Sequence, residues 1–404
     1  MRSPVPAMLE DVLAACADAD EGEVSQHIEE LANVDPDRRA LAVGTVTGTI
    51  HSAGDDDLVF TIQSMSKAFV YALALADRGL DAVLDVVDVE PSGESFNEIS
   101  LDRETGRPPN PMVNAGALAT HDLVEGTGDA RDRRVQDFLS RAAGRDLSVD
   151  EKIFASERKS AHRNLALAHL LAAAGHLQGD PEDVVDGYLR QCAIQVTVRD
   201  LAAMASTLAN GGIQPETGEQ VMEQWVARQV LSVMATCGMY DSAGDWMSTV
   251  GLPAKSGISG GIIGVLPGQV GIAVYSPRLD RHGTSARGEA VMQRLSEDMG
   301  MHLMNPVRPA RSAVRAVTSG DDVTTYVLQG DMMFAAADAW AARIVEEPPS
   351  TGLVRIDLTH VDEVTAAGRR LLEETVDLLT HDGHEVEFVG DPIPDTWAAD
   401  GGVK

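Results

Sequence analysis

The sequence predicts a mixed α+β domain over residues 1–305, a sheet packed with helices, followed by a small α/β domain over residues 306–404. Three observations predict this division. Helical periodicity interrupted by short β-branched runs fills the first three quarters of the chain, a proline-bounded break stands at Asn305-Pro306-Val307-Arg308-Pro309, and strand and helix patterns alternate after it.

In chain order, Leu41–Val46 is the first clear strand candidate. Ala68–Leu75 continues an apolar helical pattern that begins at Ser64, and Asn164–Leu171 repeats the pattern. Gly268–Tyr275 is a second strand candidate. In the tail, strands are expected at 324–328, 353–358 and 385–389, with helices at 334–345 and 366–379 between them.

Composition narrows the function. The chain carries 63 acidic against 32 basic residues, a formal charge of −31, which opposes binding to nucleic acid or anionic lipid because like charges repel at every encounter. Apolar runs of eighteen residues and a secretory leader are both lacking, so a cytoplasmic protein with no membrane partner is expected. Cys16, Cys192 and Cys237 are odd in number and have no CxxC spacing, so neither a disulfide framework nor a zinc ribbon is expected. Lysine occurs only at 67, 152, 159, 255 and 404, which makes each lysine's position informative.

Ser64-Met65-Ser66-Lys67 opens the first apolar helix and sets Ser64 and Lys67 on one face, a turn apart. A partly desolvated amine there can take the serine proton, and a helix start offers unpaired N–H groups for an oxyanion. Ser156-Glu157-Arg158-Lys159 has the same spacing, so the motif alone also fits an N-cap serine beside a surface lysine. Lys255-Ser256-Gly257, running into the glycine-rich, β-branched segment Ile258–Val265, resembles the KTG strand that accompanies SxxK in penicillin-recognising enzymes. A plain buried strand fits the same residues.

Several blocks together are similar to the serine-dependent glutaminase family: Phe60–Lys67, Glu90-Pro91-Ser92-Gly93 with Phe96-Asn97, Asn110–Ala117, Ser156-Glu157 with Arg163-Asn164, Leu208–Gly212, Met234–Tyr240 and Pro253–Gly257. They occur in the family order over about residues 20–300. The resemblance implies a serine β-lactamase-like fold and hydrolysis of L-glutamine to L-glutamate and ammonia through a γ-glutamyl-serine intermediate, with no metal or organic cofactor. It implies Ser64 as nucleophile, Lys67 as its base, Lys255, Tyr188 and Tyr240 at the reacting centre, and the N–H groups of Ser64 and Ile258 as oxyanion donors. Asn114, Glu157 and Asn164 match residues that grip the α-amino and α-carboxylate groups. It also implies a homodimer or homotetramer.

The residue types alone also fit plainer roles: Glu157 on a solvated helix face, Asn114 and Asn164 as caps, the two tyrosines as half-buried core residues, and Cys237 as a buried structural thiol. The chain departs from the family pattern at His27 and Glu29, where tyrosine and proline are usual, and at Thr284, where asparagine is usual. His27 stands at a substrate-pocket position and keeps open a second reading, an altered-specificity or catalytically degenerate amidase acting as a binding or regulatory protein. Residues 312–404 resemble STAS regulatory domains through Val354–Leu358 and Thr365-Ala366-Ala367-Gly368. Ala366 and Ala367 replace the phosphorylatable serines of switchable members, so the tail is expected to bind a protein partner or mediate assembly without that switch.

Overall fold

The computed structural model describes residues 3–93, 101–305, 312–320 and 322–390. The Phe96-Asn97 pair and the Pro306–Pro309 stretch lie outside them. The chain divides into two compact units, Met1–Asn305 and Pro306–Lys404.

The first unit is built on a five-stranded antiparallel sheet in the order Ile50–Gly54, Ala40–Thr45, Val270–Tyr275, Gly261–Leu266, Ala254–Ser256. Alternation along the strands divides their side chains between two cores. Leu41, Val43, Ile262, Ile272 and Val274 pack with Leu9, Leu13, Val291 and Leu295 from the first and last helices of the unit, Val5–Ala15 and Ala286–Met299. Ala40, Ala42, Ile263, Val265 and Ala273 face the opposite way, onto the buried helix Val198–Ala209. That helix starts at a capping box between Thr197 and Asp200. It lies so close to the sheet that a Cβ on Gly271 would stand 2.1 Å from the backbone nitrogen of Ser206.

A second layer of helices, Asn114–Leu123, Glu151–Lys159, His162–Ala174 and Pro181–Cys192, closes around Leu118, Leu167, Leu171, Val184 and Tyr188. Asp150 and Asp180 cap two of them, accepting from the second and third backbone N–H groups of each helix. Between these helices and the sheet runs Ser66–Arg78, buried from Ser66 to Leu75. Its approach is pinned by a short ladder, Phe60–Thr61 against Gln195–Val196, and by Ile62 N–H donating to the Ile194 carbonyl at 2.8 Å.

In the second unit, strands Val314–Ser319, Val323–Gln329, Leu353–His360 and Glu385–Val389 form a sheet in that order, the first pair antiparallel and the rest parallel. Helices Phe334–Glu346 and Ala366–His381 bury Trp340, Leu372 and Val376 against Tyr326, Leu328, Val354, Ile356 and Leu358. Thr365 caps the second helix, its hydroxyl accepting from Gly368 N–H at 3.2 Å. The strand Val314–Ser319 is an addition to the expected elements.

Candidate active site

Ser64 lies in a single 3-10 turn, Gln63–Met65, immediately before the α-helix that begins at Ser66. It therefore precedes that helix, where the periodicity placed it at the helix start. Gln63 has φ +49° and Tyr240 φ +55°, the two left-handed non-glycine residues among those described, and both flank Ser64. Such backbone costs about 1–3 kcal/mol per residue and persists where the surroundings enforce it. The Ser64 hydroxyl acts on the Tyr240 phenol, offsetting part of the upward push that burial gives it.

Lys67, on the first turn of the helix, is fully buried. Its Nζ donates to Asn114 Oδ1 at 2.6 Å and to the Met112 carbonyl at 3.3 Å. The Met112 carbonyl is presented by a turn that Asn110 ties together, its Oδ1 accepting from Met112 and Val113 N–H. Burial lowers the Lys67 ammonium to about 8. Asn114 also accepts from the Tyr188 hydroxyl at 3.3 Å and donates to Asn164 Oδ1 at 3.2 Å. Neither asparagine is a cap: Asn114 follows the N-cap Val113, and Asn164 lies inside its helix.

Lys255 is fully buried too, its Nζ 3.9 Å from the Tyr240 ring centroid, with Lys67 Nζ at 5.9 Å from the same ring. Burial, then the nearby Lys67 charge, holds the Lys255 amine well below the usual lysine value. Burial drives both Tyr188 and Tyr240 phenols up, so each stays protonated as a donor.

The glycine-rich segment after Lys255 is a hairpin, Ala254–Ser256 and Gly261–Leu266, and Ile258 lies in its connecting turn instead of on a strand. The glycines at 257, 260 and 261 break what the composition presents as one run. Gly257 packs on the Ser64 turn, where a Cβ would stand 3.2 Å from the Ile62 carbonyl oxygen.

Glu157 is buried on the helix face it shares with Ile153, one turn earlier. Its carboxyl is pushed up to about 7 by burial, offset in part by a hydrogen bond from Gln63, and Oε2 has no hydrogen-bond partner. In the second SxxK match, Lys159 is exposed. His27 is exposed on the wall of a cavity of about 840 Å³ that Ile258 and Ser242 also line. The Thr284 side chain is buried in a tight turn, its backbone N–H donating to Asp280 at 2.9 Å. Cys16, Cys192 and Cys237 are free and buried. Gln63, which precedes Ser64 and donates from Nε2 to Thr61 Oγ1 at 3.1 Å, is a site residue that residue type and spacing did not single out. No cluster of three potential metal ligands occurs among the described residues.

A model of the glutaminase family matches residues 22–304. The chain belongs to the glutaminase family. The glutaminase of Corynebacterium glutamicum is 46% identical over 406 residues, spanning 99% of this chain and 98% of that protein. The glutaminase of Trichormus variabilis is 48% identical over 307 residues, 76% of this chain and 92% of the relative. Among solved structures, a crystal structure of a protein called Mglu matches with a TM-score of 0.91 at 47% identity, covering 98% of this chain and 99% of that one. A probable glutaminase from Bacillus subtilis matches with a TM-score of 0.70 at 32% identity, covering 74% of this chain and 98% of its own. The α+β architecture is thus that of glutaminase structures. No helix among the described residues is long and apolar enough to cross a membrane.

Proposed function

We propose that this chain hydrolyses L-glutamine to L-glutamate and ammonia on a serine β-lactamase-like fold, through an ester formed on Ser64. The observation that carries the reading is a fully buried Lys67 one turn after Ser64, its amine anchored on Asn114 at 2.6 Å and lowered to about 8 by burial, with the Tyr240 ring beside it. Neutral Lys67 takes the Ser64 proton, by way of the Tyr240 hydroxyl, as Oγ bonds to the amide carbon. The oxyanion is held by the N–H groups of Ser64 and Ile258. The C–N bond then breaks and the proton on Lys67 leaves with ammonia. Water adds to the ester, giving a proton back to Lys67; the C–O bond breaks, Ser64 regains its proton, and glutamate departs.

Glu157 pairs with the substrate ammonium, and the Asn114–Asn164 amides meet its α-carboxylate. Lys255 under the Tyr240 ring fixes that phenol. The likeness to a glutamate form of Mglu, 43% identical with a TM-score of 0.89, supports an amino-acid pocket of this kind. Residues 1–305 form the glutaminase domain. The tail, 306–404, is a STAS-like module that binds a protein partner or mediates assembly; its Thr365 hydroxyl is occupied as a helix cap.

The test is ammonia release from L-glutamine against L-asparagine by purified protein, with Ser64→Ala alongside. Turnover of glutamine that vanishes in Ser64→Ala, with trapping of the acyl group by hydroxylamine as the γ-hydroxamate, is the expected result. Wild-type turnover in Ser64→Ala refutes the nucleophile, and a wild type inert toward glutamine refutes the substrate.

A further inference from the structure

From the Ser64 turn runs a string of buried polar groups that the mechanism above does not use. Ser66 Oγ donates to the carbonyl of Gln63 at 2.8 Å, Gln191 Nε2 donates to Ser66 Oγ at 3.2 Å, and Gln191 Oε1 lies 2.8 Å from His121 Nδ1. All three side chains are 2% exposed or less. The direction of the string is forced. A carbonyl only accepts, so Ser66 spends its proton on Gln63 and must accept from the Gln191 amide; the amide oxygen therefore faces His121, and Nδ1 carries the imidazole hydrogen.

The string is built into the fold. His121 comes from helix Asn114–Leu123, whose first residue, Asn114, holds Lys67. Gln191 comes from helix Pro181–Cys192, which also carries Tyr188. Gly187, one turn before Gln191, leaves the notch for the imidazole: a Cβ there would stand 2.3 Å from His121 Nε2. At its outer end Nε2 has no hydrogen-bond partner and faces Asp132 Oδ1 at 3.9 Å, beside a cavity of about 280 Å³ lined by Asp132, Arg190 and Gln191. Burial holds the imidazole down to about 4 and so neutral, as the string requires.

We propose that His121, Gln191 and Ser66 are positioning residues, a one-way hydrogen-bond string that locks the left-handed Gln63 backbone and thereby aims Ser64 at the substrate carbonyl. The proposal rests on the reading of Ser64 as nucleophile. A left-handed glutamine relaxes unless its peptide is held, and the Gln63 carbonyl is the atom the string grips. Loss of the grip displaces Oγ by a fraction of an ångström to an ångström, enough to slow acylation, while Asn114, Glu157 and Asn164 stay on their own helices.

The test compares Ser66→Ala and His121→Leu with His121→Asn, whose amide keeps a donor near the Nδ1 position. Two rates are read on the full chain: steady-state ammonia release from L-glutamine, and covalent labelling of Ser64 by a fluorophosphonate, with Ser64→Ala as background. Thermal melting checks folding. Expected is a fall in kcat of about 10- to 100-fold in Ser66→Ala and His121→Leu, with KM within about twofold and labelling slowed in parallel. His121→Asn should return to within about threefold of wild type. Wild-type kcat in Ser66→Ala, a loss confined to KM, or His121→Asn as impaired as His121→Leu overturns the proposal. Should His121→Leu not fold, Ser66→Ala, which deletes one oxygen, decides alone. A wild type that labels but releases no ammonia from glutamine sinks the glutaminase reading and leaves the labelling rates to decide the string.

Discussion

Glu157→Gln separates the cost of burying a carboxylate from its use. The carboxyl rises from an ordinary 4.5 to about 7 on folding, mainly through burial. Below pH 4.5 it is protonated in both states and costs nothing. Between 4.5 and 7 the unfolded chain ionises alone and gains stability, and above 7 the folded protein carries the full penalty, about 3 kcal/mol at about 1.4 kcal/mol per unit. The amide is nearly isosteric and removes that penalty. The empty variant should therefore melt higher than wild type at pH 8, by on the order of 5 °C, and equally at pH 4. Its KM for glutamine should rise by about 10- to 150-fold, since a charged hydrogen bond to the substrate ammonium is worth about 1.5–3 kcal/mol. Wild-type KM should fall as pH rises through about 7, while the variant's stays flat. Scanning calorimetry at two pH values and steady-state ammonia release check all three. A variant that melts lower at pH 8 and keeps the wild-type KM refutes both the burial argument and the binding role.

Three further outcomes are expected. If Lys67 is the base proposed above, kcat/KM should rise with pH through about 8; Asn114→Asp, which sets a carboxylate against Nζ where the amide oxygen now sits at 2.6 Å, should move that limb upward by about 1–2 units, as a pH–rate profile would record. Gly271→Ala forces a methyl against the Ser206 backbone at 2.1 Å and should lose about 1–3 kcal/mol in urea unfolding. A chain ended after Asn305 should keep kcat within about twofold, because the first unit is compact by itself and the Trichormus variabilis glutaminase matches only 76% of this chain.

The elements most legible in the sequence are those whose alternation is intact. Tyr326 and Leu328, then Val354, Ile356 and Leu358, mark two tail strands that the structure extends by one or two residues. The strand Val314–Ser319 leaves five of its six residues exposed, so no buried face imposed a period to read. At the site, the Ser64–Lys67 spacing is visible because a helix turn is regular. The conformation of Gln63 and Tyr240 is not, since neither residue type favours positive φ and both are held there by contacts distant in sequence. Glu157 was ambiguous for a different reason: its neighbours Arg158 and Lys159 suggest a solvated face, and the deciding signal is its position four residues after buried Ile153.

The local rules of folding account for the frame of the first unit, and several costly departures from them meet near Ser64. Capped helices, an alternating sheet and a close helix–sheet contact account for the first unit, and none of them needs a fully buried amine without a carboxylate partner or a left-handed glutamine. Two of the five lysines, both left-handed non-glycine residues and a carboxylate with an orphan oxygen all gather around Ser64. Each costs about 1–3 kcal/mol or more, and stability alone would have selected against every one. Their coincidence is explained if the same desolvation that is costly in the folded state supplies what the reaction uses: an amine neutral near pH 8, phenols that stay protonated, and a carboxylate whose missing partner is the ammonium of the substrate.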